Sequence, residues 1–188
     1  MEFIEQSIKG VWEVRLQARG DQRGFFMRTY DQNLFSQHGL HKNWVQENHS
    51  LSTKKGTLRG LHFQFPPFAE AKLVRAIQGE ILDVFVDLRK DSETFGQWGA
   101  ILLSDSLKNL AFIPRGFAHG YCTLSDVAEV VYKVDSPYTP EQEGGIKWDD
   151  PDIGIQWPVA HPILSEKDAQ QPSFQAFCEQ HHAINSNG

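Results

Sequence analysis

The chain has 188 residues, 40% hydrophobic and 22% charged, which suits one globular domain with a sizeable core. Its net charge of −6 is the reverse of the basic footprint expected for nucleic-acid binding. No apolar run approaches the roughly 20 residues that span a bilayer, and the opening MEFIEQSIKG lacks the apolar stretch of a signal peptide. Cys122 and Cys178 have no metal-ligand spacing, so they read as free thiols in a reducing cytoplasm.

In chain order, Val11 to Leu16 alternates apolar and polar residues and predicts a strand. Gly20 to Gly24 reads as a turn and Phe25 to Tyr30 as the next strand. Asp31 to His38 predicts one short helix, capped by Asp31 and ended by Gly39. Trp44 to Ser50 is a further strand, closed by the polar turn from Ser52 to Gly56. Then comes the richest stretch, KGTLRGLHFQFPPFAEAKLV, from Lys55 to Val74. Within it, Arg59 to Gln64 predicts a strand whose period of two places Leu61, Phe63 and Phe65 on one face and Gly60, His62 and Gln64 on the other. Arg59 and Lys72 put two cations beside a group that titrates near neutral pH, a combination commoner at functional sites than in a core.

Strands follow at Lys72 to Ile77, Glu80 to Leu88, Gln97 to Ser104, Asn109 to Ile113, Gly120 to Leu124 and Ala128 to Val134. Short strands at such spacing, punctuated by Gly, Pro and Asp, predict an all-β sandwich or barrel. From Ser136 the texture becomes irregular, packed down by Trp148 and Trp157, and Ser165 is placed to cap a short helix with Asp168 at its third position. The polar end, from His181 to Gly188, is expected to fray. No linker or repeat divides the chain, so residues 1–188 are expected to form a single domain.

The motifs DQRGFF (Asp21–Phe26), VQENHS (Val45–Ser50), LRGLHFQ (Leu58–Gln64), KLV (Lys72–Val74), GEILDVFVDLR (Gly79–Arg89) and TFGQW (Thr94–Trp98) stand in order along the chain. They continue with IPRGFAHG (Ile113–Gly120), Tyr132-Lys133, EGGIKWDDPDIGIQWP (Glu143–Pro158) and LSEKD (Leu164–Asp168). In this set and order the sequence resembles the dTDP-4-dehydrorhamnose 3,5-epimerase family, enzymes that act on nucleotide-linked 4-keto-6-deoxyhexoses. The resemblance implies a cupin-like jelly-roll barrel with a few short helices, a homodimer, and no metal or redox cofactor. It also implies a role in making deoxysugars of the O-antigen or cell-surface polysaccharide type.

Such an enzyme inverts carbons flanking a ketone at C4. A base must remove a proton made weakly acidic by the carbonyl, the charge on O4 must be stabilised, and a proton must return from the opposite face. The resemblance assigns His62, with a reference pKa of about 6.5, as base. It pairs His62 with Asp168, gives O4 to Lys72, and makes Tyr132 the acid; Lys133 should point away by alternation. Arg23 and Arg59 match positions contacting the substrate, where guanidinium forks suit diphosphate oxygens. Gln46, Asn48, His119, Glu143 and Lys167 match further contacts, and Tyr138 matches an aromatic that stacks on the base, with Phe26 as a second wall.

Arg28 departs from the family, which has glutamate in this segment. A carboxylate accepts a hydrogen bond from thymine N3–H, whereas arginine only donates, so a CDP-linked sugar is the alternative substrate. Three rival functions are weighed against the epimerase. A metal-dependent cupin would need a His-x-His pair, but Gln64 occupies the second place in His62-Phe63-Gln64. A non-catalytic sugar binder would not need an acid–base set. A keto isomerase would use a similar base, and the LRGLHFQ and KLV matches favour the epimerase over it.

Overall fold

The computed structural model describes residues 1–185. Eleven of its strands form two antiparallel sheets, which accounts for the predicted all-β jelly roll. The six-stranded sheet runs β1 (Glu2–Glu5), β2 (Trp12–Arg15), β10 (Asn109–Ile113), β7 (Lys72–Gln78), β12 (Ala128–Val134), β5 (Gln46–Ser52). The five-stranded sheet runs β13 (Glu143–Gly145), β6 (Leu58–Gln64), β11 (Phe117–Thr123), β8 (Glu80–Asp87), β9 (Trp98–Ser104). A separate hairpin pairs β3 (Ala18–Asp21) with β4 (Gly24–Met27).

Alternation decides which side chains meet between the sheets. On β7, Val74 and Ala76 enter the core shared with Phe85 of β8 and Ile101 and Leu103 of β9, whereas Leu73 faces outward. On β6, Leu61 and Phe63 also face outward, where Ile146, Ile153, Phe177 and Ile184 cover them. His62 is thereby turned into the space between the sheets. Burying a Leu or Phe side chain stabilises by about 1.5–3 kcal/mol. A one-residue slip of β6 would expose both Leu61 and Phe63, so its register, and with it the direction of His62, is strongly fixed.

Several boundaries differ from the predicted ones. The strand predicted over Val11–Leu16 is β2, and the one predicted over Phe25–Tyr30 ends early, at Met27 of β4, where Arg28 pairs with Asp31 (Nη1–Oδ2, 3.0 Å) as the chain turns into α1 (Gln32–Gln37). Asp31 caps that helix, as predicted, accepting from the Asn33 and Leu34 amides. The strand predicted from Gly120 begins at Phe117, directly after the Pro114–Gly116 turn. Short β1, β3 and β13 were not anticipated.

The largest surprise is α3 (Phe174–His181), an unpredicted helix that covers the outer face of β6 and ends at His181, where fraying was expected to begin. Ser173 caps it by accepting from the Ala176 amide, and Phe177 is buried. The chain beyond it is also held. Ile184 is buried, its amide donates to the Leu88 carbonyl at 2.7 Å, and its carbonyl accepts from Lys90 N at 2.8 Å. Residues 186–188 lie outside the described residues. Trp157 does pack onto the domain, its indole N–H donating to the Trp148 carbonyl at 2.7 Å.

Candidate active site

A cavity of about 440 Å³ opens between the sheets, within the range of small-molecule sites. Its walls include Arg59 and His62 of β6, His119 and Tyr121 of β11, Lys72 of β7 and Tyr132 of β12. Two glycines bring β6 and β11 close enough to place both histidines there. At Gly60 (φ +117°) a Cβ would lie 2.7 Å from Gly120 Cα and from the His119 carbonyl oxygen. At Gly120 a Cβ would lie 2.7 Å from the Arg59 carbonyl oxygen. A side chain at either position would force the strands apart.

His62 and Asp168 meet as predicted, Nε2 to Oδ1 at 2.6 Å. Asp168 belongs to α2 (Glu166–Ala169), a single turn too short to hold itself in water. Ser165 caps it, accepting from the Asp168 amide at 3.1 Å, an interaction worth about 1 kcal/mol. Burial alone would raise the Asp168 carboxyl pKa. The hydrogen bond and charge of His62 outweigh it, with help from Ser165 and the Gly60 amide, and hold the carboxyl below the usual range. An ionised carboxylate only accepts, so the imidazole proton sits on Nε2 and Nδ1 carries the basic lone pair.

The opposite wall belongs to the six-stranded sheet. In the ladder, Lys72 pairs with Val134 and Tyr132 with Val74, so Lys72 and Tyr132 are diagonal neighbours on one face. The Lys72 ammonium lies 5.8 Å from the centre of the Tyr132 ring. Burial is the main reason the Tyr132 phenol pKa stands above its usual value, and the Glu70 carboxylate adds to it. The phenol is therefore protonated at neutral pH. Lys133, as predicted, points away and pairs with Glu47.

The predicted substrate contacts divide into three groups. Arg59, His119 and Lys167 line the cavity with the catalytic candidates. Arg59 also donates Nη2–H to the Leu51 carbonyl at 3.3 Å. Tyr138, Glu143 and Gln46 do not line it but are tied to its rim. Glu143 accepts from Lys167 Nζ at 2.6 Å and from Tyr138 OH at 2.7 Å, while Gln46 Oε1 accepts from the Tyr138 amide at 2.7 Å. Asn48, the ladder partner of Tyr132, is exposed on β5 and does not line the cavity.

Arg23, Phe26 and Arg28 form the third group: none lines the cavity of its own chain. They lie on or beside the β3–β4 hairpin, where Phe26 is 72% exposed. Arg23 pairs with Asp21 at 2.6 Å, and Arg28 pairs with Asp31. Gln64 keeps the face that alternation predicted. It shares the inward side with His62 but is buried in hydrogen bonds to Phe68, Pro137 and Thr139 and does not face the cavity.

Four polar residues of the site went unforeseen. Asp83 on β8 binds His119, Nε2 to Oδ1 at 2.8 Å, and is fully buried. Ser50 and Tyr121 share a hydrogen bond of 2.7 Å on the cavity wall. Glu70 is ion-paired with Lys72. The only sequence signal for Asp83 was its polarity within the apolar run of GEILDVFVDLR.

Comparison with known proteins agrees with this geometry. The family model described as dTDP-4-dehydrorhamnose 3,5-epimerase matches residues 5–176. The dTDP-4-dehydrorhamnose 3,5-epimerase of Shigella flexneri is 49% identical over 175 residues, covering 93% of this chain and 96% of its own. The crystal structure of the Bacillus anthracis enzyme of that name, with TDP and PPi bound, superposes with a TM-score of 0.89 at 43% identity, covering 92% of this chain and 98% of that one. The dTDP-6-deoxy-D-glucose-3,5-epimerase of Legionella pneumophila, in complex with dTDP-4-keto-L-rhamnose, gives a TM-score of 0.92 at 36% identity, covering 100% and 98%. Two of these relatives carry TDP or a dTDP-linked sugar, whereas Arg28 of this chain is exposed and paired with Asp31. The chain belongs to the dTDP-4-dehydrorhamnose 3,5-epimerase family of isomerases.

Proposed function

We propose that this protein inverts C3 and C5 of a dTDP-linked 4-keto-6-deoxyhexose by metal-free acid–base catalysis through an enolate. The observation that carries the reading is the placement of base and acid on opposite walls. The His62–Asp168 pair stands on the five-stranded sheet and Tyr132 with Lys72 on the six-stranded sheet, across one cavity. His62 takes the proton next to the ketone through Nδ1, and Asp168 stabilises the imidazolium that forms. The Lys72 ammonium stabilises the charge that moves onto O4. Tyr132 returns a proton from the far side, so configuration is inverted. Arg59, His119 and Lys167 hold the diphosphate and sugar, while the linked Tyr138 and Glu143 form the base-binding rim. The product serves deoxysugar assembly of the cell-surface polysaccharide type.

The protein acts as a homodimer in this reading. Arg23 and Phe26 lie outside the cavity of their own chain, and the exposed β3–β4 hairpin is suited to carry them to the cavity of a second copy. Mixing Arg23→Ala with His62→Ala would then restore activity that neither variant has alone. Absence of restored activity would reject the shared site.

The main test is solvent deuterium incorporation into dTDP-4-keto-6-deoxyglucose, followed by NMR. Exchange at both C3 and C5 is expected. Tyr132→Phe should lose inversion while retaining exchange, because abstraction still occurs and the proton returns to the face it left. Full inversion by Tyr132→Phe would overturn the acid assignment.

A further inference from the structure

Glu70 is a buried carboxylate that the acid–base scheme leaves without a role. Its side chain and that of Lys72 are each 10% exposed. Oε1 is ion-paired with Lys72 Nζ, and Oε2 accepts from Gln64 Nε2 at 3.1 Å. Gln64 is fixed in turn. Its Nε2 also donates to the Phe68 carbonyl at 3.0 Å and the Pro137 carbonyl at 3.2 Å, and its Oε1 accepts from the Thr139 amide at 2.6 Å. A buried charge is tolerated only when paired and hydrogen-bonded, and both conditions are met here. The result is a chain of contacts from β6 through Gln64 and Glu70 to the ammonium on β7, beside the Tyr132 ring on β12.

We infer that Glu70 is a positioning residue for the epimerase reaction, holding the Lys72 ammonium at the cavity wall and setting the electrostatic field at the Tyr132 phenol. The inference rests on the roles proposed above for Lys72 and Tyr132. A lysine side chain has four rotatable carbons and loses up to about 2 kcal/mol of rotamer entropy when fixed, so an unpartnered Lys72 would sample positions away from O4. After burial, Glu70 is the largest influence raising the phenol pKa; Tyr121 and Glu143 act in the same direction and Arg59 opposes them. Lys72 is the nearby cation on β7, and His62, Asp168 and His119 lie around the same cavity. Glu47, Arg75 and Lys133 belong to the opposite face of the sheet.

The sign of the effect follows. The acid works only while protonated, so activity falls as pH rises through the phenol pKa. Removing the Glu70 charge lowers that pKa and moves the alkaline limb of the rate profile to lower pH. The experiment compares Glu70→Gln and Glu70→Asp with wild type, measuring kcat and KM across pH with dTDP-4-keto-6-deoxyglucose. Lys72→Ala and Tyr132→Phe are run beside them. Glu70→Gln should lower kcat about tenfold with little change in KM, and its alkaline limb should shift down. Glu70→Asp keeps the charge but is one methylene shorter, so kcat should fall while the limb stays at the wild-type pH. A wild-type limb and kcat in Glu70→Gln, with Lys72→Ala and Tyr132→Phe impaired, would overturn the assignment, even if the variant melts at lower temperature. Wild-type rates in Lys72→Ala and Tyr132→Phe would overturn the roles on which it rests.

Discussion

His62 and His119 are direct ladder partners on β6 and β11, and each gives Nε2 to an aspartate. The two pairs nevertheless differ in access and support. The His62 side chain is 31% exposed and that of His119 is 9%. Asp168 comes from a separate one-turn helix, with Ser165 and the Gly60 amide as further partners. Asp83 is part of strand β8, and its Oδ2 has no hydrogen-bond partner among the described residues. The difference teaches that a His–Asp pair is given its role by its surroundings. The accessible imidazole can approach a C–H bond. The recessed one holds a fixed place in the wall, suited to contacting substrate rather than to reaching a C–H bond.

The strongest way to break this comparison is to remove each imidazole. His62→Ala should cut turnover by about 10²–10⁴-fold, the contribution of a general base, and abolish deuterium exchange at both carbons. Equal loss of exchange in His119→Ala would show that the two histidines share the role. Asp168→Asn should follow with a loss of about a hundredfold in kcat, because the amide neither fixes the tautomer nor stabilises the imidazolium. Retention of wild-type kcat would dismiss the pair as structural. His119→Gln should have a smaller effect, about tenfold and mainly in KM, as expected for a substrate contact. A change confined to kcat would move His119 into the chemistry.

The smallest effect concerns stability. Asp168 has a depressed pKa in the folded protein, so its contribution is fully present above the ordinary carboxylate pKa of about 3.9. That contribution is lost as pH falls through the lower folded value. The difference in Tm between wild type and Asp168→Asn should therefore shrink with acidification, as calorimetry between neutral and acid pH would show. A difference independent of pH would remove the linkage.

The comparison also shows what could be read from residues alone. Period two placed His62 on one face of its strand and turned Lys133 away from Tyr132, Lys72 and Tyr132 were marked by the family motifs, and the Ser165 cap was visible in LSEKD. Asp83 was hidden because an aspartate in an apolar strand can turn to either face, and its histidine lies 36 positions away. Glu70 was hidden because it lies just outside β7, in a stretch broken by Pro66 and Pro67. The α3 helix had its signal in Ser173 followed by Phe174, Phe177 and Cys178 at helical spacing, which the polar texture around it obscured. Arg23 and Phe26 matched family positions and Arg28 departed from one, but a motif does not say whose cavity a residue serves.

The carboxylate that orients His62 comes 106 positions after it in the sequence. During synthesis, the ribosome has therefore released the histidine-bearing strand long before Asp168 exists. A fragment ending ahead of residue 168 could assemble much of the barrel and still lack an oriented base. Reactivity arrives late in translation, and fragments cut short before that point are expected to be silent rather than partly active.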